Sequence, residues 1–451
     1  MNSVRVNVAT ASSVAVVAAL VSPAVAGGFQ IPETGTRRTA MAAVVGRPDD
    51  PSAVFHNPAG LTLLDGVHVY VHAGVAKIST EFNLAPWDLR DDGTYGSDEF
   101  LGQTAGPDGY YDPVKPSLAV GVIPMIVGTA QLTRKLYGAA SFYVGNATGA
   151  AFDDDDATQY HLIQGYVVAP QANLSLAYKI NDKVAVAGSI GVVHLRVKGR
   201  RYFYPVYNGL DLRTLGLGDK PLLRLEGTAW APAWNLGVLV RPMPKLTIGA
   251  AAIGKVETAY KGAISLESSD DPDMSMYGSQ ETTQYLPLTL QAGANYDVTP
   301  NLEVGLEGRY WYYTPYKQQK TDIDGFIIPE LVTEKNYKNS KQIAGGLRVH
   351  DLRAAPGWEF MLGAHFDKTP APAETLTLDQ PSFDHPGVHS GVRYTRGSSR
   401  FGLTYTRYWY LVPDVDDSIT FPPTNFTGSG VSNIISLSYE GSFDVAPLVG
   451  R

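Results

Sequence analysis

The sequence predicts an all-β chain: a transmembrane antiparallel β-barrel of about fourteen strands with a small N-terminal hatch, or plug, segment. Three observations carry the prediction. Apolar and polar residues alternate with a period of two along many segments, short and long connections take turns between those segments, and the chain opens on an export-type leader.

Composition agrees with this class. Of 451 residues 18% are charged and 44% apolar, with 46 glycines, 26 tyrosines and no cysteine. Ordinary apolar content excludes a disordered chain, while a charge fraction below the roughly 25% of soluble domains points to a surface not wholly met by water. Absence of cysteine excludes disulfide scaffolds, thiolate zinc sites and cysteine nucleophiles. A net charge of −8 opposes a nucleic-acid partner, which needs a basic face.

Residues Met1 to Ala26 read as a signal peptide. Arg5 gives the positive start, Val14 to Val21 the apolar stretch, and Ala24-Val25-Ala26 the small-residue cleavage site, so the mature chain begins at Gly27. The apolar stretch is far shorter than the roughly 20 residues of a spanning helix.

Strands follow from alternation. Leu302, Val304 and Leu306 stand against Glu303, Glu307 and Arg309, which places an apolar row outside and an ionic row inside. The same rule holds for Leu286, Leu288, Leu290 against Thr289, Gln291, Asn295, for Leu174, Leu176, Tyr178 against Asn173, Ser175, Lys179, and for Phe401, Leu403, Tyr405 against Gly402, Thr404, Thr406. Strands are expected near 66–79, 114–124, 134–146, 161–179, 184–199, 227–240, 245–261, 285–297, 302–314, 341–349, 358–367, 387–396, 400–411 and 431–440. Pro124 cannot donate to a ladder and is expected to begin a turn. Tight links such as Asn181-Asp182-Lys183 and Gly397-Ser398-Ser399 alternate with long ones such as 200–226, 262–284 and 315–340. Barrels show that rhythm because one rim carries turns and the other carries loops. Tyr310 to Tyr313, Tyr405 to Tyr410 and Tyr202 to Tyr204 crowd strand ends and suit an aromatic girdle at the headgroup level.

Gly27 to Asp65 lacks strand alternation and is assigned to the hatch, with the barrel over 66–440 and an extension over 441–451. Gly28-Phe29-Gln30, and Asp49-Asp50-Pro51-Ser52-Ala53-Val54-Phe55-His56-Asn57-Pro58-Ala59-Gly60-Leu61, resemble the FadL-type family of outer-membrane transporters for hydrophobic compounds. That resemblance implies a fourteen-stranded barrel plugged by a hatch, and passive uptake of long-chain fatty acids or other hydrophobic molecules. It also implies that these leave sideways through a gap at an inward kink in the third strand. Phe29 then borders the ligand pocket, and the hatch motif Asn57, Pro58, Ala59 and Gly60 sits within the plug against the wall. Gly145-Asn146-Ala147-Thr148-Gly149 is the candidate kink, since glycine permits a bend and breaks pairing. His56 stands where such proteins more often carry an aromatic residue.

Lys255, Arg309 and Lys179 fall on expected lumen faces and could meet a carboxylate head group. No Gly-x-Ser-x-Gly elbow, Walker loop or His-Glu-x-x-His occurs, so neither an enzyme nor a cofactor is expected. His68 and His72 share one strand face without a third ligand, and Asp153 to Asp156 form a solvated loop tip, so no metal is assigned. Expected partners are hydrophobic small molecules, outer-membrane lipid and lipopolysaccharide around a monomer. The competing reading keeps the barrel but makes its loops a docking surface for a secretion or adhesion partner.

Overall fold

Successive side chains on a strand point to opposite faces, so a segment that is apolar on one face and polar on the other can separate lipid from lumen. In the computed structural model, which describes residues 30–87, 101–117 and 120–447, these segments close into a cylinder. Its strands are β1 (Val67–Leu84), β2 (Val120–Gln131), β3 (Leu136–Ala151), β4 (Gln164–Lys179), β5 (Val184–Tyr202) and β6 (Leu222–Met243). β7 is broken at Gly254-Lys255 into Leu246–Ile253 and Val256–Glu267, and β8 at Pro287 into Met276–Leu286 and Leu288–Thr299. β9 (Leu302–Tyr312), β10 (Ser340–Val349), β11 (Trp358–Asp367), β12 (His385–Arg396), β13 (Ser399–Tyr410) and β14 (Phe426–Phe443) complete the wall.

Each strand pairs antiparallel with the next, and β14 returns to β1 from Phe443 against Val67 to Phe426 against Leu84. Among the described residues this closes the sheet on itself, apart from the upper part of β2, which β3 leaves unpaired. The register obeys the alternation: Leu306 is 68% exposed, while Glu303 and Glu307 beside it are buried. The hatch carries α1 (Thr36–Met41), α2 (Ala53–His56) and a 3₁₀ turn over Pro58–Leu63, all inside the barrel at its short-turn end.

The structure corrects several sequence expectations. Pro124 does not begin a turn: β2 runs through it, and Pro124 pairs with Ala73 of β1. It is tolerated because β3 pairs with β2 only from Met125 downward, so Pro124 lies where β2 is an edge. Leu286 is 4% exposed, not on the outer face, because the alternation restarts after Pro287. The long link expected over 262–284 shrinks to the stretch between Glu267 and Met276, and 315–340 contains a hairpin, Gln318–Asp324 with Glu330–Glu334. β14 extends past 440 to Phe443.

The aromatic runs are only half a girdle. Tyr310, Tyr312, Tyr405 and Trp409 face outward, whereas Trp311, Tyr313, Tyr408 and Tyr410 are buried in the lumen. A run of aromatic residues on a strand must divide between the two faces, and the inward half builds an internal surface. The leader, Met1 to Ala26, lies outside the described residues.

Candidate functional site

At the short-turn end the lumen is ionic. Arg37 of α1 reaches Glu303 of β9 at 2.6 Å and Asp49 of the hatch at 2.7 Å. Arg47 grips Asp297 of β8 through both of its terminal nitrogens, at 2.6 and 2.9 Å. Arg348 of β10 meets Glu303 at 2.5 Å and Asp49 at 3.1 Å, and Arg393 of β12 meets Glu359 at 2.7 Å. Glu307 accepts from the Val44 and Val45 amides at 2.7 and 2.9 Å while facing Arg38 and Arg309. Burial alone would raise the Asp49 carboxyl, but Arg37, Arg348 and Arg393 outweigh it and hold it well below the usual carboxylate range. Hatch and wall therefore exchange charges that neither could bury alone.

Asn57 to Gly60 lie inside the hatch, against the wall. Asn57 Nδ2 donates to Val45 O at 3.1 Å and to Val238 O of β6 at 3.0 Å, and its Oδ1 accepts from Ala59 N to start the 3₁₀ turn that Pro58 opens. Wall glycines make this approach possible: a Cβ on Gly237 would lie 2.2 Å from Asn57 Oδ1, and one on Gly249 2.0 Å from Val45 O.

Above the hatch, toward the long loops, the lumen turns aromatic. Phe82, Tyr160, Tyr204, Trp311, Tyr313, Tyr316, Tyr337, Phe383 and Phe426 belong to one buried cluster. Phe82 and Phe426 meet edge to face at 5.6 Å, and Tyr285 stacks on Tyr316 at 5.9 Å. A cavity of about 150 Å³ opens at its upper end, between Leu162, Val197, Tyr260, Leu378 and Phe421. Among the described residues of this region Lys335 is 0% exposed, and its Nζ donates to Thr377 Oγ1 at 3.1 Å. Burial lowers its pKa, although Asp379 pulls the other way. Sequence reasoning missed Lys335 because it sits in a long loop, where no alternation marks a buried side.

The other expected site residues separate. Arg309 is in the lumen but committed to the ionic lock between hatch and wall, with Nε on Glu307 at 2.7 Å and Nη2 toward His56 Nδ1 at 3.1 Å. Lys255 is not on the lumen face; its side chain is 55% exposed and pairs with Glu257 at 3.0 Å, because the break at Gly254-Lys255 turns it outward while Val256 is buried. Lys179 reaches Tyr137 OH at 3.3 Å near the short-turn rim. Phe29 lies outside the described residues. His68 and His72 are both buried in the lumen, with His68 on Glu440 at 2.9 Å.

β3 changes course at Gly145. From Leu136 to Phe142 its burial alternates, but Tyr143 to Ala150 are all buried, including Gly145, Asn146 and Gly149. Its register against β4 slips between Val144 and Asn146, a bulge at Gly145. Pairing with β2 ends at Met125 against Tyr143, and the next tie is Ser117 N to Ala151 O at 2.7 Å. Among the described residues, β2 and β3 are unpaired between those two points. The hatch holds the inner side: Ile31 N donates to Gly145 O at 2.9 Å, and Gln30 bridges to Asn146 while accepting from Trp311 Nε1 at 2.7 Å.

A family model described as outer membrane protein transport protein (OMPP1/FadL/TodX) matches residues 16–400. The long-chain fatty acid transport protein of Escherichia coli O6:H1 (strain CFT073) is 22% identical over 416 residues, covering 85% of this chain and 87% of its own. That of Escherichia coli K12 is 23% identical over 438 residues, covering 85% and 88%. A crystal structure of a Pseudomonas aeruginosa FadL homologue matches with a TM-score of 0.77 at 17% identity, covering 92% of this chain and all of its own. The Pseudomonas putida toluene transporter TodX matches at 0.67 and 14%, covering 92% and 99%. At such identities the structural matches establish a common fold.

The lock contains a pH-sensitive member. His56 Nε2–H donates to Thr34 O at 2.7 Å, and Nδ1 accepts from Arg309, so the neutral ring is satisfied on both sides. Burial, then the Arg309 guanidinium, pull its pKa down to about 3. In the unfolded chain it titrates near pH 6.5. Between those values the unfolded chain binds the extra proton, so the stability tied to His56 is complete above about pH 6.5 and falls on acidification, by up to about 1.4 kcal/mol per unit. In phospholipid vesicles, the urea midpoint of the wild type is expected to fall more steeply from about pH 7 to about pH 5 than that of His56→Gln. Equal falls would contradict the assignment.

Proposed function

The chain belongs to the OMPP1/FadL/TodX family of outer-membrane transport proteins, so it is a β-barrel of the bacterial outer membrane and not an enzyme, and from that premise we propose a route for its cargo. Hydrophobic small molecules, long-chain fatty acids or monoaromatic hydrocarbons, enter the aromatic chamber and leave sideways between β2 and β3 into the membrane. The protein works as a monomer set in outer-membrane lipid and lipopolysaccharide.

The observation that carries this reading is the unpaired stretch of wall beside the Gly145 bulge, bounded by Met125 and Ser117 and lined by Ile123, Val144 and Ala147. Below it the lumen is closed by the ionic hatch, which an apolar solute has no reason to cross. Each CH₂ moved from an apolar site into water costs about 0.8 kcal/mol, so an exit that stays in contact with lipid removes the largest barrier. A scaffold role for the loops would require neither the chamber nor the opening.

Lys335 favours an acid as cargo, since a carboxylate would add a second counter-charge, beside Asp379, to a fully buried ammonium. This reading assigns Gly145, Asn146 and Gly149 to the exit.

In liposomes, the protein is expected to accelerate uptake of a labelled fatty acid. Deleting Gly145, which restores the β3–β4 register, should return uptake to the protein-free rate while the barrel keeps its heat-modifiable migration; wild-type uptake by that variant would sink the lateral route. Lys335→Met should slow fatty-acid uptake about tenfold, equivalent to about 1.4 kcal/mol, and leave toluene uptake unchanged. Equal slowing of both cargoes would remove Lys335 from head-group recognition.

A further inference from the structure

Glu33 of the hatch, His365 of β11 and His389 of β12 converge on the lumen side of the wall, with one potential ligand atom from each within 4.8 Å of the others. All three are buried, at 1%, 5% and 2% exposure. Three separate elements supply them, so the cluster is a product of the fold and not of a local sequence run.

His389 is oriented from behind. Its Nδ1 lies 3.2 Å from Thr39 O and 3.2 Å from Thr406 Oγ1, which puts the proton on Nδ1 and leaves the Nε2 lone pair aimed into the cluster. A carbonyl behind the imidazole is the arrangement that fixes the tautomer and direction of metal-ligating histidines. His365 Nδ1 stands 2.7 Å from that Nε2, and its own Nε2 is buried with no hydrogen-bond partner. Room for this ring comes from Gly387, where a Cβ would lie 2.3 Å from His365 Cε1. Two residues along the same strand face, Asp367 uses Oδ2 to accept from Gln342 at 3.0 Å, while Oδ1 is buried and unpartnered. A cation in the cluster would give Glu33 and the His389 Nε2 lone pair a partner and place positive charge beside the stranded Asp367 oxygen.

We propose that Glu33, His365 and His389 form a site for a divalent transition-metal ion, Zn²⁺ being the first choice, that ties the hatch to the barrel wall. Two imidazoles and one carboxylate suit Zn²⁺ better than Mg²⁺ or Ca²⁺, which take oxygen ligands. Binding requires His365 to carry its proton on Nε2, so that Nδ1 and the Nε2 of His389 both point at the metal. Arg38 comes within 3.4 Å of Glu33, but its guanidinium is also held by Gln342 at 2.6 Å and Glu307 at 3.2 Å. The ion would sit three residues from Gln30 in sequence, and so fix the segment that grips β3. The site itself stands independently of the transport route.

The test uses the untagged full chain, stripped with a chelator, titrated with Zn²⁺ by calorimetry and assayed for bound metal after dialysis. One Zn²⁺ per chain is expected for the wild type. Glu33→Gln should weaken it by about tenfold or more, and His389→Ala should abolish it. His350→Ala, at the short-turn rim beside Asp297 and Glu303, should bind as the wild type does. Heat-modifiable migration confirms that each barrel is folded, and Glu33→Gln, a change in the hatch alone, keeps the test decisive if His389→Ala does not fold. No binding by the wild type, equal binding by Glu33→Gln, or loss in His350→Ala would overturn the proposal.

Discussion

Charge buried inside a closed wall is the constraint on which the rest of this structure depends. α1 has six residues and α2 four, far short of what an isolated helix needs to persist in water. They persist here because Arg37, Arg38 and Arg47 are matched by Glu303, Glu307 and Asp297 on β8 and β9. Breaking such a pair by removing one member typically costs about 3–5 kcal/mol, because the other charge is left stranded. The network therefore selects one position for the hatch more than it adds net stability, and that position closes the short-turn end of the barrel.

A closed floor dictates where a hydrophobic solute can go. The same lumen is ionic below and aromatic above, and the boundary lies at Gln30, Thr289 and Trp311. At that level β3 bends inward at Gly145 and takes the hatch backbone as a partner in place of β2. The bend, the hatch and the unpaired wall are one arrangement: a strand that leaves its neighbour must find hydrogen bonds elsewhere, and Ile31 supplies one. In the proposed route, release of that short contact connects chamber and membrane.

Much of this was legible in the sequence, for a physical reason. A barrel strand has one lipid face, so Leu302, Val304 and Leu306 against Glu303 and Glu307 could only be read one way. The Asn57-Pro58-Ala59-Gly60 run drew notice through the family resemblance, not through alternation, and Gly145 through the freedom of glycine to bend a strand. Sequence reasoning was weakest where a residue's face depends on a distant break. Lys255 faces outward because of the interruption beside it, and Leu286 faces inward because Pro287 resets the phase. The aromatic runs misled in the same way, since only half of each could reach the headgroups. Lys335 and the Glu33, His365, His389 cluster left no sequence trace, because loops and pairings far apart in the chain bring them to their places.

The central claim is that cargo leaves beside the kink, and that the hatch segment at Gln30 and Ile31 must let go for it to do so. The natural chain has no cysteine, so Gln30→Cys with Asn146→Cys gives a single possible disulfide, across a bridge whose backbone spacing suits one. The most direct measurement is fatty-acid uptake into liposomes by this variant, oxidised and then reduced. The account predicts uptake at the protein-free rate when oxidised and recovery on reduction. Unchanged uptake with the disulfide formed would contradict it.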